Sequence, residues 1–125
     1  MSTGDDAYID PDAQRIRGWP CLRQFCVFMA NRVGRLHDLM RKLERQDLRV
    51  IGLSIADSVD SSVVRLVLDN CEIARELFQL NGYSVIETDI IGVELPDSPQ
   101  PYLAVCTSLL EAEINIHYTY PMLYR

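Results

Sequence analysis

Asn31-Arg32-Val33-Gly34-Arg35-Leu36 is the stretch on which the reading of the fold turns. It lies between an apolar run that ends at Met29 and an amphipathic segment that starts at Leu36. A strand that stops at a glycine and becomes a helix leaves backbone N–H groups unpaired at the helix start. Those donors can hold a carboxylate or another small anion. The same hexapeptide also fits a plain strand-to-helix connection, so its surroundings must decide.

Upstream, Leu22 to Met29 reads Leu-Arg-Gln-Phe-Cys-Val-Phe-Met, rich in aromatic and β-favouring residues, which predicts a strand. Downstream, Leu36, Leu39, Met40 and Leu43 recur at helical spacing while His37, Arg41, Lys42, Glu44 and Arg45 fill the other face. That pattern predicts an amphipathic helix lying on something apolar. It should stop near Asp47, in a left-handed conformation that Asp tolerates less comfortably than Gly. Val50 to Ala56 follows as a second strand, apolar on both faces, so a second sheet or subunit is expected to cover the side that the helices leave.

After the turn Ser58-Val59-Asp60-Ser61-Ser62, Val63 to Leu68 forms a third strand in a hairpin with the second. Asp69 is the expected cap of a second helix, with Glu72 in capping-box register, and Asn81-Gly82 ends it. Ile73, Ala74, Leu77, Phe78 and Leu80 make its buried stripe. Ser84 to Leu95 reads as two strands in sequence, hinged near Asp89 to Gly92. The order β-α-β-β-α-β is the ferredoxin-like plait, an α+β fold whose antiparallel sheet carries both helices on one face. Residues 1–20 lack sustained periodicity and are expected to form a mobile arm, with a short helix opening at Asp10-Pro11 and packing through Trp19.

A shift of 66 residues lays Asp97-Ser98-Pro99-Gln100-Pro101-Tyr102 on the opening hexapeptide. The helical stripe then repeats in register, with Tyr102 on Leu36, Val105 on Leu39, Cys106 on Met40 and Leu109 on Leu43. Leu48-Arg49-Val50 likewise falls on Ile114-Asn115-Ile116. The division is therefore an arm at 1–20, a first unit at 21–89 and a partial second unit at 90–125, read as β-α-β only, with a strand from Ile114 to about Leu123. A half-unit of this kind cannot close its own sheet. Either the sequence is a truncated product or another chain supplies the missing strand.

These residues resemble the tandem ACT domain, a small regulatory module. The family loop reads roughly N/D-R-P-G-x-L. The first copy keeps its glycine as Gly34 and has Val33 for the proline; the second keeps the proline as Pro99 and has Gln100 for the glycine. Leu53-Ser54-Ile55-Ala56-Asp57 and Val63-Val64-Arg65-Leu66 look like stretches of stand-alone tandem ACT proteins. The resemblance implies an amino-acid ligand held between two units, as in the serine-sensing part of phosphoglycerate dehydrogenase, by a loop Asn and by an Asn opening the second strand.

Those positions are Asn31 and Asn115, since Arg49 stands at the equivalent of Asn115 in the first copy. The opposite combination, Asp97 with Arg49, would neutralise itself, which leaves one site per tandem unit. The expected ligand contacts are Asn31, Arg32, Gly34, Arg35, Leu36 and Asn115. The N–H groups of Gly34, Arg35 and Leu36 would face the carboxylate, and oxygens of Asn31 and Asn115 would face the ammonium. Asn31 could equally be a helix N-cap and Asn115 a surface residue. A purely structural oligomerisation module with a decayed site is the alternative, and small regulatory subunits of acetolactate synthase carry ACT domains too.

Other function classes find little in the residues. The formal charge of −6 and pI near 4.8 disfavour a nucleic-acid backbone or an anionic membrane as partner. No aromatic stands on the third strand, as RNA recognition by this element order would want. His37 and His117 have no partners at metal-ligand spacing, there is no phosphate cradle, and no nucleophile is followed by a base, so no metal, cofactor or enzyme activity is expected. The four cysteines, Cys21, Cys26, Cys71 and Cys106, form no C-x-x-C pair and read as reduced thiols of a cytoplasmic protein. The polar, acidic start Met1 to Asp6 is unlike a signal peptide. Expected partners are an amino acid, a second copy in a homodimer or higher homo-oligomer, and a regulated biosynthetic enzyme.

Overall fold

The computed structural model describes residues 22–30 and 32–123. The expected arm, its helix at Asp10-Pro11 and Trp19 lie outside the described residues, as does Asn31. The element order is β1 (Arg23–Ala30), α1 (Arg35–Arg45), β2 (Val50–Asp57), β3 (Ser61–Leu68), α2 (Cys71–Leu80), β4 (Ser84–Asp89) and α3 (Pro101–Glu111). Four strands make one antiparallel sheet in the order β2-β3-β1-β4. This is the expected plait, with β1 and β3 as its central pair.

Period-two alternation sends Phe25, Val27 and Met29 of β1 and Val64, Leu66 and Leu68 of β3 to the same face. There they meet Leu39 and Leu43 of α1 and Ala74, Leu77 and Phe78 of α2 in one buried cluster. Phe25 and Phe78 contact at 5.3 Å between ring centroids. Each fully buried Leu or Phe side chain contributes roughly 1.5–3 kcal/mol. On the edge strand β2, Leu53 and Ile55 lie opposite Leu66 and Val64 on that same helix-side face, yet they remain exposed.

The helix ends repeat one device. Asp47 takes φ 56°, Asp47 N–H donates to Glu44 C=O and Leu48 N–H to Leu43 C=O, which is the Schellman arrangement. Gly82 at φ 68° ends α2 in the same way. Glu113 at φ 57° ends α3, with Glu113 N–H on Leu110 C=O and Ile114 N–H on Leu109 C=O. Asp47 and Glu113 are equivalent under the 66-residue shift, as are the pairs Leu43/Leu48 and Leu109/Ile114. The duplication is thus visible in backbone bonds as well as in the apolar stripe.

Several expectations need correction. The cap of α2 is Asn70, whose Oδ1 accepts from Ile73 N–H at 3.1 Å. Asp69 is occupied elsewhere, accepting from Arg49 N–H at 3.0 Å and so joining the ends of β2 and β3. The extended run from Ser84 stops as a strand at Asp89, and residues 90–100 carry no strand. The segment 114–123 likewise carries no strand, only an isolated bridge between Gly52 and Met122 and a bond from Leu123 N–H to Ile51 C=O at 2.7 Å. Cys26 and Cys106 are free thiols, but Cys71 is disulfide-bonded. Cys71 belongs to no C-x-x-C pair, so nothing local in the sequence marks it for a bridge.

Candidate functional site

The hexapeptide turn is built by β1 ending and α1 beginning with few residues between them. Arg32 N–H donates to Ala30 C=O at 2.9 Å, and Arg35 N–H to Arg32 C=O at 3.3 Å. Gly34 is the N-cap of α1 at φ 87°, ψ −12°. A Cβ there would meet nothing within 4 Å, so the glycine serves the left-handed backbone and not the space beside it. Arg32, Val33, Gly34 and Arg35 are exposed, whereas Leu36 is half-buried and packs on the core. Val33, where the family has proline, projects fully into solvent.

Strand register places the turn beside the β2–β3 hairpin and the start of β4: Ala30 faces Ser61, Met29 faces Ser62, and Phe28 faces Ser84. Ser62 is buried and donates its hydroxyl to Asp57, and Ser58 Oγ donates to Ser61 C=O at 3.0 Å. The turn therefore offers two guanidinium groups and a helix N-terminus next to a hydroxyl-bearing rim, an arrangement that suits a small anion. One expected donor is occupied, because the Arg35 amide closes the turn itself.

Arg32, Gly34, Arg35 and Leu36 are brought together by this turn; Asn115 is not. Asn115 is exposed just past α3, and the chain that carries it is anchored three residues later. There Tyr118 meets Gln24, at the start of β1. Gln24 precedes Ala30 by six residues, about 20 Å along a strand. The equivalent residue of the first unit, Arg49, likewise sits beyond the C-terminus of α1, and an 11-residue helix separates it from Gly34 by about 16 Å. A shallow open depression of about 300 Å³ lies at that far end, lined by residues that include Met40, Asp47 and Arg49.

The anchor of the C-terminal segment was not anticipated in the sequence. Gln24 is fully buried, and its amide donates to Tyr118 Oη at 2.7 Å and to Thr88 Oγ1 at 3.1 Å, while its carbonyl accepts from Tyr120 Oη at 2.6 Å. The two tyrosine rings stack at 6.5 Å, as residues two apart on extended chain can, and the guanidinium of Arg65 lies 4.2 Å from the Tyr118 ring centroid. Arg65 Nε is buried with no hydrogen-bond partner among the described residues. Burial pushes the Tyr120 hydroxyl up to about 12, helped by Tyr118 and Cys26 and opposed by Arg65. Both hydroxyls are thus bonded to Gln24. The legible signal was a glutamine inside a strand of apolar residues, which predicts a buried partner for its amide.

At the other side of the sheet, Glu87 accepts two bonds from Arg75, at 2.7 and 2.6 Å, and one from Arg23 at 2.6 Å. Arg23 also pairs with Asp89. The Arg75 hydrogen bond is the main reason the Glu87 carboxyl is held below its ordinary range, with Arg23 adding to it against burial. These ions tie β1, β4 and α2 together and offer no open valence for chemistry. Among the described residues no group of His, Cys, Asp and Glu could hold a metal ion, and no helix is long and apolar enough to cross a membrane.

No curated protein matches the sequence. The fold is similar to the crystal structure of protein BT0572 from Bacteroides thetaiotaomicron, with a TM-score of 0.72 at 24% identity, over 79% of this chain and 69% of that one. The sequence profile of the ACT domain pair matches residues 21–125, which takes in the plait, α3 and the segment anchored on Gln24. By that match the chain belongs to the family of ACT domain pairs.

Proposed function

We propose that this protein binds a free α-amino acid between two ACT units and relays its presence to a metabolic enzyme in the cytoplasm. ACT domains are regulatory ligand-binding modules and not catalysts. The observation that carries the reading is the exposed turn at the start of α1, where Gly34 is left-handed and two arginines flank a helix N-terminus. A carboxylate would lie against Gly34, Leu36 and the arginines. The ammonium group would meet oxygens of Asn31 and of Asn115 from another unit. Because Asn115 and the turn lie apart within one chain, this reading takes Asn115 from a second protomer. Coupling to the enzyme is limited by how differently the ligand binds the two arrangements of those units.

Calorimetric titration with the twenty amino acids at millimolar concentration tests this, and Asn31→Ala and Asn115→Ala should each weaken the responding ligand at least tenfold. Silence across all twenty would remove the reading. Two observations favour the alternative, an oligomerisation module with a decayed site. The Arg35 amide is consumed inside the turn, and the second copy has lost its glycine to Gln100. In that case Asn31→Ala leaves assembly unchanged and no amino acid registers.

A further inference from the structure

The face of the sheet turned away from the helices carries a seat, and residues 116–123 lie on it. Gly52, Val67, Gln24 and Thr88 stand in one register row across β2, β3, β1 and β4. Tyr120 spans two members of that row. A Cβ at Gly52 would stand 3.2 Å from its ring and 3.1 Å from the Met122 side chain, while its hydroxyl donates to Gln24 at 2.6 Å. Gly52 has no left-handed backbone to account for it, so its missing side chain serves the room that Tyr120 and Met122 take. Tyr118 fills the neighbouring place, with its hydroxyl on Gln24 and its ring over the Arg65 guanidinium.

The seat stays satisfied without its occupant. When the tyrosines leave, the Gln24 amide keeps Thr88 Oγ1 at 3.1 Å and Cys26 Sγ at 3.4 Å, and its carbonyl turns to water. Arg65 gains by the change. Its Nε is buried with no partner among the described residues, and a buried unpaired donor is a cost that opening removes.

The occupant, for its part, is lightly held. Among the described residues its backbone meets the sheet only at the edge strand β2, through Leu123 N–H on Ile51 C=O and the bridge between Gly52 and Met122. Ile116, Tyr118 and Leu123 remain 43%, 47% and 62% exposed, so closure hides little of their apolar surface. Few buried contacts and few backbone bonds mark the segments that open before the core does. We infer that residues 116–123 are a releasable strap on a preformed seat of Gln24, Gly52 and Arg65, and that the opened seat accepts another extended segment with tyrosines two residues apart. The strap needs no amino acid to open or close, and it stands or falls apart from the ligand reading.

Amide hydrogen exchange on the full chain should show the Leu123 N–H exchanging roughly a hundredfold faster than those of Val27 and Leu66 on the central strands. Gly52→Val should speed Leu123 by about tenfold more and leave Val27 unchanged, because the added side chain meets only the strap and the side chain of Val67. A labelled peptide with the sequence of residues 114–123 tests the seat by fluorescence anisotropy. It should bind the Tyr118→Ala/Tyr120→Ala chain about tenfold tighter than the parent, whose own strap competes. Adding Gly52→Val to that chain should abolish binding, and so should alanine for both tyrosines of the peptide. Circular dichroism checks each variant. Leu123 protected as strongly as Val27, no peptide binding to the opened seat, or binding indifferent to Gly52→Val would each overturn the inference. So would unfolding of the Tyr118→Ala/Tyr120→Ala chain, since the segment would then be part of the core and not a strap.

Discussion

The two copies of the repeat separate what a sequence encodes locally from what it encodes only with a partner. α1 and α3 share a length, an apolar spacing and the same left-handed ending at Asp47 and Glu113. Yet Leu39 and Leu43 are buried, while α3 contains no buried residue. A helix satisfies its backbone within itself, so caps and propensities can specify it without a core. A strand has no bonds of its own. Residues 23–30 have two neighbours and form one; residues 90–95 repeat their apolar alternation and do not.

The sharpest way to break this comparison is to empty equivalent positions. Leu43→Ala removes a side chain buried between helix and sheet and should cost about 3–4 kcal/mol in urea denaturation, the usual range for a rigid core site. Leu109→Ala, its counterpart on α3, should cost about 1 kcal/mol or less in the monomer, because half-exposed leucine loses little on truncation. Equal costs would mean that α3 has a core of its own, and the contrast between the copies would fail.

The opening loops sharpen it further. Gly34 holds φ 87°, so Gly34→Ala forces a side chain into the left-handed region and should cost about 1–2 kcal/mol despite the free space around it. Gln100, at the equivalent position, has φ −131°, which any residue adopts. Gln100→Ala should therefore be neutral within about 0.5 kcal/mol. The same pair of melts asks whether the loss of glycine in the second copy followed a change of turn, since a turn that no longer needs positive φ tolerates glutamine.

What was legible in the sequence follows the same division. The strand and helix of the first unit, the hairpin at Ser58 and the stop at Asp47 all rest on alternation, helical spacing and turn chemistry, and each lies within a residue or two of its expected place. The α2 cap shifted by one because Asp69 and Asn70 are both good caps, and Asp69 is drawn away by the Arg49 amide, which is 20 residues distant in sequence. The expected strands at 90–95 and 114–123 had the right alternation, but alternation says only which face would be buried and cannot supply a neighbour. That Tyr118 and Tyr120 close on Gln24, across most of the chain, was not legible, because no local pattern links residues more than 90 apart. Of the site residues, the turn's geometry was legible from Gly34, and the occupied Arg35 amide was not.

The smallest expected effect concerns how the first unit is closed. Arg23 and Asp89 are themselves equivalent under the repeat, and they meet across β1 and β4, so the start of one copy's first strand is pinned to the start of the other's. Glu87 completes that lock between Arg23 and Arg75, and its carboxyl is held below the ordinary range chiefly by the Arg75 hydrogen bond. With a depressed folded value, the unfolded chain binds more protons through the window just below pH 4.5, so stability rises with pH there. The contribution is complete above the unfolded value and is lost as the pH falls through the folded one. Glu87→Gln should cost about 1 kcal/mol at neutral pH, a modest figure because both arginines are substantially exposed, and should flatten the stability profile between pH 5 and the acid limit. Denaturation followed from pH 3 to 7 reads both. A variant with the parent's acid slope would show that the lock is geometric only, and that β4 is held to the first unit by its ladder to β1 and not by the ions at its rim.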